Sequence, residues 1–112
     1  MMLPNRPILL VSAPPSYDLT LIQALVGRGA YHVTQSAIRT AVEVGCDQAD
    51  MEECVLSLAP SDFYKSMAAE QRPGTMQDVY RPIFRARALY VKLQLATAAN
   101  GDKAVVISFK AL

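Results

Sequence analysis

Apolar positions change their period near the middle of the chain. From Asp18 onward, Leu19, Ile22, Leu25 and Val26 recur at helical spacing, with Asp18 as the N-cap and Gly27 and Gly29 ending the run. Ala30 to Val33 reads as a brief extended link. Thr34 then caps a second helix, in which Ala37, Ile38, Ala41 and Val42 share a face and Gly45 is the stop. Asp47 opens a third helix, whose buried stripe is Met51, Val55 and Leu58 and whose end is Pro60. Asp47, Asp50, Glu52 and Glu53 crowd its first turns, where each favours the helix macrodipole by roughly 0.3–1 kcal/mol. No histidine or loop glycine completes a ligand set around them, so they read as structural rather than metal-binding.

From residue 61 the alternation is that of strands. In Ala88 to Ala96 the apolar Leu89, Val91, Leu93 and Leu95 alternate with Tyr90, Lys92 and Gln94, which predicts one core face and one polar face. In the final strand the pattern predicts Val105, Ile107 and Phe109 on the core side and Val106, Ser108 and Lys110 on the other. Asn100-Gly101-Asp102 between the two is a turn signal that predicts an antiparallel hairpin, and counting from a turn centred near Gly101 puts Tyr90 about eleven residues back and Lys110 about nine on, close to opposite one another. Met76 to Ala86 reads as another strand in which Pro82 forces an edge position or a break, and Phe63 to Ala69 as a shorter one. Lys65 shares parity with the apolar Phe63 and Met67. The segment therefore twists, begins with a helical turn after Ser61, or is covered on both faces. Three helices followed by an antiparallel meander predict an α+β domain, with helices on one face of a mainly antiparallel sheet and the other face free to bind.

Composition narrows the chemistry. At 112 residues, 52% hydrophobic and 19% charged, the chain has enough apolar surface for one core and no room for a second. Residues 1–60 hold three basic and six acidic side chains, and residues 61–112 hold eight and four. A nearly neutral total of +1 thus conceals a basic C-terminal half suited to a polyanion. Cys46 and Cys54 stand eight apart with no CxxC spacing, which predicts free buried thiols in a reducing compartment. The apolar run from Ile8 to Ala13, cut off by Pro14-Pro15, is too short for a secretory or membrane-spanning segment. It reads as a short strand or arm within an N-terminal extension, residues 1–17, of a cytoplasmic protein.

Lysine, tyrosine and glutamine without a histidine or carboxylate cluster suit a site that grips RNA. Metal-free RNA cleavage needs activation of a 2′-hydroxyl, stabilisation of a phosphorane and a proton for the 5′-oxygen, tasks that lysines and a tyrosine can cover. Lys65, Gln77, Tyr90 and Lys110 are groups of these types on the predicted strands, and no metal or other cofactor is called for. A glutamine beside the lysines and tyrosine could orient the 2′-hydroxyl or read a base edge, though Gln77 by itself is no signal. Tyr64 and Tyr80 are candidate stacking platforms, and Arg81, Arg85 and Arg87 a candidate phosphate-tracking rim. Each has a plainer reading: Lys110 as a solvated edge guard, Tyr90 as a packing residue, the arginines as a solvated face.

The segments Ser61-Asp62-Phe63-Tyr64-Lys65-Ser66-Met67, Gln77-Asp78-Val79-Tyr80-Arg81-Pro82, Tyr90-Val91-Lys92-Leu93 and Val106-Ile107-Ser108-Phe109-Lys110 occur in this order and spacing. Together they resemble the MqsR family of bacterial toxins, the motility quorum-sensing regulators, over roughly residues 18–112. That resemblance implies a fold similar to the RelE-like messenger-RNA interferases and a ribosome-independent endoribonuclease cutting messenger RNA at short GC-containing sequences. It also implies neutralisation by a cognate antitoxin with zinc-binding and helix-turn-helix domains, and it places the functional lysines, glutamine and tyrosine on Lys65, Lys110, Gln77 and Tyr90. The chain departs from the pattern at Met76, where the family often has an aromatic, and in residues 1–17. Two other classes stand beside the nuclease: a non-catalytic RNA-binding module using the same basic sheet, and an interaction protein that docks through its N-terminal arm.

Overall fold

The computed structural model describes residues 13–112. Capping side chains start each helix. The Asp18 carboxylate accepts from the Thr20 N–H at 2.9 Å and opens α1 (Leu19–Gly27). Thr34 accepts from the Ala37 N–H at 3.1 Å and opens α2 (Gln35–Glu43). Asp47 and Asp50 form a reciprocal capping box at α3 (Gln48–Leu56). Between α1 and α2 the expected extended link is a strand, β1 (Tyr31–Val33). A 3-10 turn at Pro60–Asp62 leads into β2 (Phe63–Ala68), β3 (Met76–Tyr80), β4 (Ile83–Phe84), β5 (Arg87–Ala98) and β6 (Gly101–Ala111). The apolar run from residue 8 lies outside the described residues except for Ala13.

The strands form one sheet in the order β1-β6-β5-β3-β2, with β4 hairpinned onto β5. β1 joins β6 in parallel and the other pairs are antiparallel, so the sheet is mixed at one edge. The helices cover one face. Ile22, Leu25, Val26, Met51, Cys54 and Val55 pack there against Tyr80, Leu89, Val91, Leu93, Val106 and Phe109. The expected four-residue stripe on α2 is narrower than its spacing suggested: Ala37 and Ala41 are buried, while Ile38 and Val42 face solvent. Small alanines let α2 sit close enough for the Thr40 hydroxyl to donate to the Phe109 carbonyl at 2.6 Å. Both cysteines are buried free thiols, and burial pushes the Cys54 thiol up to about 12, leaving it an inert core group.

Two β-bulges decide which side chains reach which face. One falls in β2 between Phe63 and Lys65 and makes Tyr64 the extra residue, so Phe63 pairs with Tyr80 on the helix side while Lys65 pairs with Val79 on the open side. This resolves the parity of Lys65 through a device that none of the three sequence alternatives contained. The second lies in β6 opposite Lys92/Leu93 and makes Ile107 the extra residue. It corrects the expected phase of the last strand: Ala104, Val106 and Phe109 are buried toward the helices, and Val105 and Ile107 belong to the open side. Thr34 holds the bulge. Its backbone N–H donates to the Val106 carbonyl at 3.1 Å and its hydroxyl to the Ile107 carbonyl at 2.8 Å.

The β4–β5 hairpin turns through Arg85 and Ala86, with φ of 53° and 65°, a left-handed pair that favours glycine or asparagine. Arg85 is held there by Asp50 and Glu53 of α3, at 2.7 and 2.9 Å. Left-handed backbone costs a side-chain-bearing residue about 1–2 kcal/mol, and glycine's extra unfolded-state freedom offsets about 0.5–1 of that. Ala86→Gly is therefore expected to raise stability by about 0.5 kcal/mol and the melting temperature by about 2–4 °C. A thermal melt showing no rise would mean the turn carries no strain.

Candidate functional site

The sheet face turned away from the helices carries the polar residues, and ladder register orders them in rows. One row runs Lys65–Val79–Lys92–Ser108 across β2, β3, β5 and β6. Two residues along β5, Tyr90 lies directly opposite Lys110, a pairing that the turn count brought close and that the extra Ile107 in β6 completes. The Lys110 ammonium stands 5.0 Å from the Tyr90 ring centroid and the Lys92 ammonium 5.9 Å from it. On the other side of the lysine row, Gln77 donates through Nε2 to Gln94 Oε1 at 3.0 Å. Lys65, Tyr90 and Lys110 thus share one open face, Tyr90 and Lys110 as direct neighbours and Lys65 in the Lys92 row, two strands from Tyr90 on β2. Gln77 shares that face but sits about 13 Å along the strands from the Tyr90–Lys110 row, at roughly 3.3 Å per residue.

Lys92 is the residue that sequence reasoning passed over. It occupies the centre of the face, between the phenol row and the amide row, and its alternation with Tyr90 and Gln94 was the signal that could have found it. Val79, flanked in the ladder by Lys65 and Lys92, is fully buried although it lies on the open side. Among the described residues, the ion pairs are those of Arg85 with Asp50 and Glu53, and none involves Lys65, Lys92 or Lys110. Three ammonium groups without a carboxylate partner leave a positive field where a phosphate would sit.

The expected RNA rim divides. Tyr64, 46% exposed at the β2 bulge, is stacked by the Arg81 guanidinium at 4.4 Å and approached by the Lys65 ammonium at 5.6 Å, which forms an aromatic and cationic shoulder beside the lysine row. Tyr80 is corrected: it is 2% exposed, packs edge-on against Phe63 at 5.6 Å among the helix-side core, and offers no face to a base. Burial accordingly pushes its phenol up to about 12. Arg85 is also corrected, since α3 carboxylates engage its guanidinium. Arg87 opens β5 on the helix side beside Cys46, Phe84 and Leu89, away from the lysines.

A groove of about 480 Å³ runs along the amide end of the open face, lined by Gln77, Lys92, Gln94, Val105 and Ile107 and overhung by the Ala69–Arg72 loop. Among the described residues, no group of three His, Cys, Asp or Glu side chains is placed to hold a metal ion, and no helix is long and apolar enough to cross a membrane. Phenol, ammonium and carboxamide groups, with the Glu70 carboxylate and Arg72 guanidinium on the loop side of the groove, supply the face's chemistry: proton transfer, anion stabilisation and hydrogen-bond readout.

A family model described as "Motility quorum-sensing regulator, toxin of MqsA" matches residues 14–111. A relative from Escherichia coli (strain K12), the "mRNA interferase toxin MqsR", is 33% identical over 96 residues, covering 86% of this chain and 93% of its own.

Proposed function

Because the chain belongs to the motility quorum-sensing regulator family of toxins, we propose that it is the toxin of a type II toxin–antitoxin pair, acting in the cytoplasm as a sequence-selective, metal-independent endoribonuclease on messenger RNA. The observation that carries this reading is the Tyr90–Lys110 pair, set beside Lys92 on the face that Lys65 shares, with no carboxylate paired to any of the three lysines among the described residues. An α+β domain with helices behind a sheet and a basic open face in front also supports a RelE-like interferase architecture. A cognate antitoxin with zinc-binding and helix-turn-helix domains is the protein partner we assign. We take the toxin domain as residues 18–112, preceded by the 1–17 extension.

The chemistry follows from what these groups can do. The 2′-oxygen attacks the adjacent phosphorus in line as its proton leaves to a base, and the P–O5′ bond breaks as that oxygen takes up a proton. One fragment ends in a 2′,3′-cyclic phosphate and the other begins with a 5′-hydroxyl. Tyr90 is the proton-transfer group. Lys110 and Lys65 hold the non-bridging oxygens, whose charge grows in the phosphorane. Tyr64 and Arg81 take the flanking strand by stacking and phosphate contact.

Purified protein incubated with synthetic messenger RNA and an excess of chelator is expected to yield discrete fragments with those ends. Tight binding without fragments would replace the enzyme with an RNA-binding module on the same face. Cleavage abolished by the chelator would remove the metal-independent mechanism.

A further inference from the structure

We propose that the groove at the amide end of the open face is a nucleobase subsite, in which the Gln77–Gln94 pair reads the Watson–Crick edge of one unstacked base beside the scissile linkage. The identity of the neighbouring linkage rests on the nuclease reading above; the subsite itself rests on the groove.

Three features of the groove fit a base rather than a phosphate. Its volume of about 480 Å³ lies within the roughly 300–1,000 Å³ range of pockets that enclose small organic groups. Val105 and Ile107 give it an aliphatic wall for a flat ring to pack on, and Ile107 is there only because the β6 bulge turns it out of the core. The polar wall is fixed. Gln77 is 8% exposed, and its amide is tied to that of Gln94 at 3.0 Å. A carboxamide has two N–H donors and an oxygen with two lone pairs. One shared bond therefore leaves donors and an acceptor side by side, whichever of the two amides donates. A donor beside an acceptor is what the Watson–Crick edge of an unpaired base requires, and its left-to-right order distinguishes one base from another.

Position along the strands supports the same division of labour. Gln77 stands about 13 Å along the strands from the Tyr90–Lys110 row, too far for its short side chain, tied to Gln94, to touch a phosphorus bound there, and Lys92 lies midway at about 6.5 Å from each. Lys92 thus holds the phosphate that joins the read nucleotide to the cut one. Of the two roles open to Gln77 from sequence, this spacing selects base reading over handling of the 2′-hydroxyl.

The test is binding of short single-stranded 2′-fluoro RNAs, which have no 2′-hydroxyl to attack, followed by fluorescence anisotropy while one base at a time is varied. Wild-type protein is expected to show a spread of about tenfold or more in Kd with the base at one position, the scale of a single mismatched contact. Gln94→Leu should shrink that spread to about twofold while salt-dependent binding to the phosphates persists. Gln94→Glu, which keeps the shape but offers acceptors alone, should change which base is preferred. Equal Kd values for every base with wild-type protein, or an undiminished spread in Gln94→Leu, would overturn the subsite. Since these RNAs cannot be cut, the outcome is separate from the cleavage assay, and either reading can fail while the other stands.

Discussion

Tyr90→Phe is expected to lower RNA cleavage by about 10²–10³-fold without loss of the fold, because proton transfer by a positioned side chain is worth about 10²–10⁴ in rate. The change deletes one oxygen from a half-buried ring on the open face and leaves its packing between Lys92 and Lys110 in place. Lys110→Ala and Lys65→Ala should each cost about 10²–10³-fold, the scale of removing one charge-stabilising donor from a phosphorane or oxyanion. Lys110→Arg should recover part of the loss, since a cation remains near the ring. Tyr90 and Lys110 touch each other and act on one linkage, so the double variant should fall little below the worse single one, as groups working as a unit do. Single-turnover cleavage of a defined RNA measures all of these. Wild-type rates in Tyr90→Phe would remove the phenol from the mechanism, and fully multiplicative losses in the double variant would mean the two residues act independently.

How much of this was legible in the sequence depended on whether a residue's environment was local. Helix starts were readable because Asp18, Thr34 and Asp47 bond to N–H groups two or three residues away. The Tyr90–Lys110 pairing was readable only to within a residue or two: the turn lies at Ala99–Asn100 and not around Gly101, an unbroken count from it would set Tyr90 against Phe109, and the extra Ile107 moves the partner to Lys110. The bulges were not readable. Each inserts one residue into a period of two, and the contacts that hold the β6 bulge come from Thr34, far away in sequence. Tyr80 was misplaced for a related reason. From Gln77 to Tyr80 every side chain of the inner strand β3 is buried on one face or the other, so the alternation that would show its direction is erased. Arg85 was misassigned because its partners Asp50 and Glu53 lie on α3. The sequence reading had accounted for those acids through the helix dipole alone.

Asp78→Ala is expected to destabilise the fold by about 3 kcal/mol, the scale of losing two hydrogen bonds to a charged acceptor and leaving their donors unpaired. Asp78 is 1% exposed on the helix side of β3, and no ion pair involves it among the described residues. Its two oxygens instead accept from the backbone N–H groups of Ser16 and Tyr17, at 3.0 and 2.9 Å. Tyr17 adds a second tie, its hydroxyl donating to the Met76 carbonyl at 2.6 Å. Burial, with the nearby Asp78 carboxylate second, raises the Tyr17 phenol's pKa and so keeps it a donor at neutral pH. This clasp fixes the chain entering α1 against the back of the strand that presents Gln77 on its front. Removing a buried carboxylate also removes its desolvation cost, which works against the predicted loss; Asp78→Asn separates the two. Its amide keeps one acceptor for the pair of N–H groups and turns a donor toward the other, so it should lose about half as much as alanine. Hydrogen exchange gives the sharper readout. The Ser16 and Tyr17 amides should lose protection in both variants while amides in β5 and β6 keep theirs at temperatures below the melt. Unchanged protection at Ser16 and Tyr17 would show that the segment is held by its packing and not by the carboxylate.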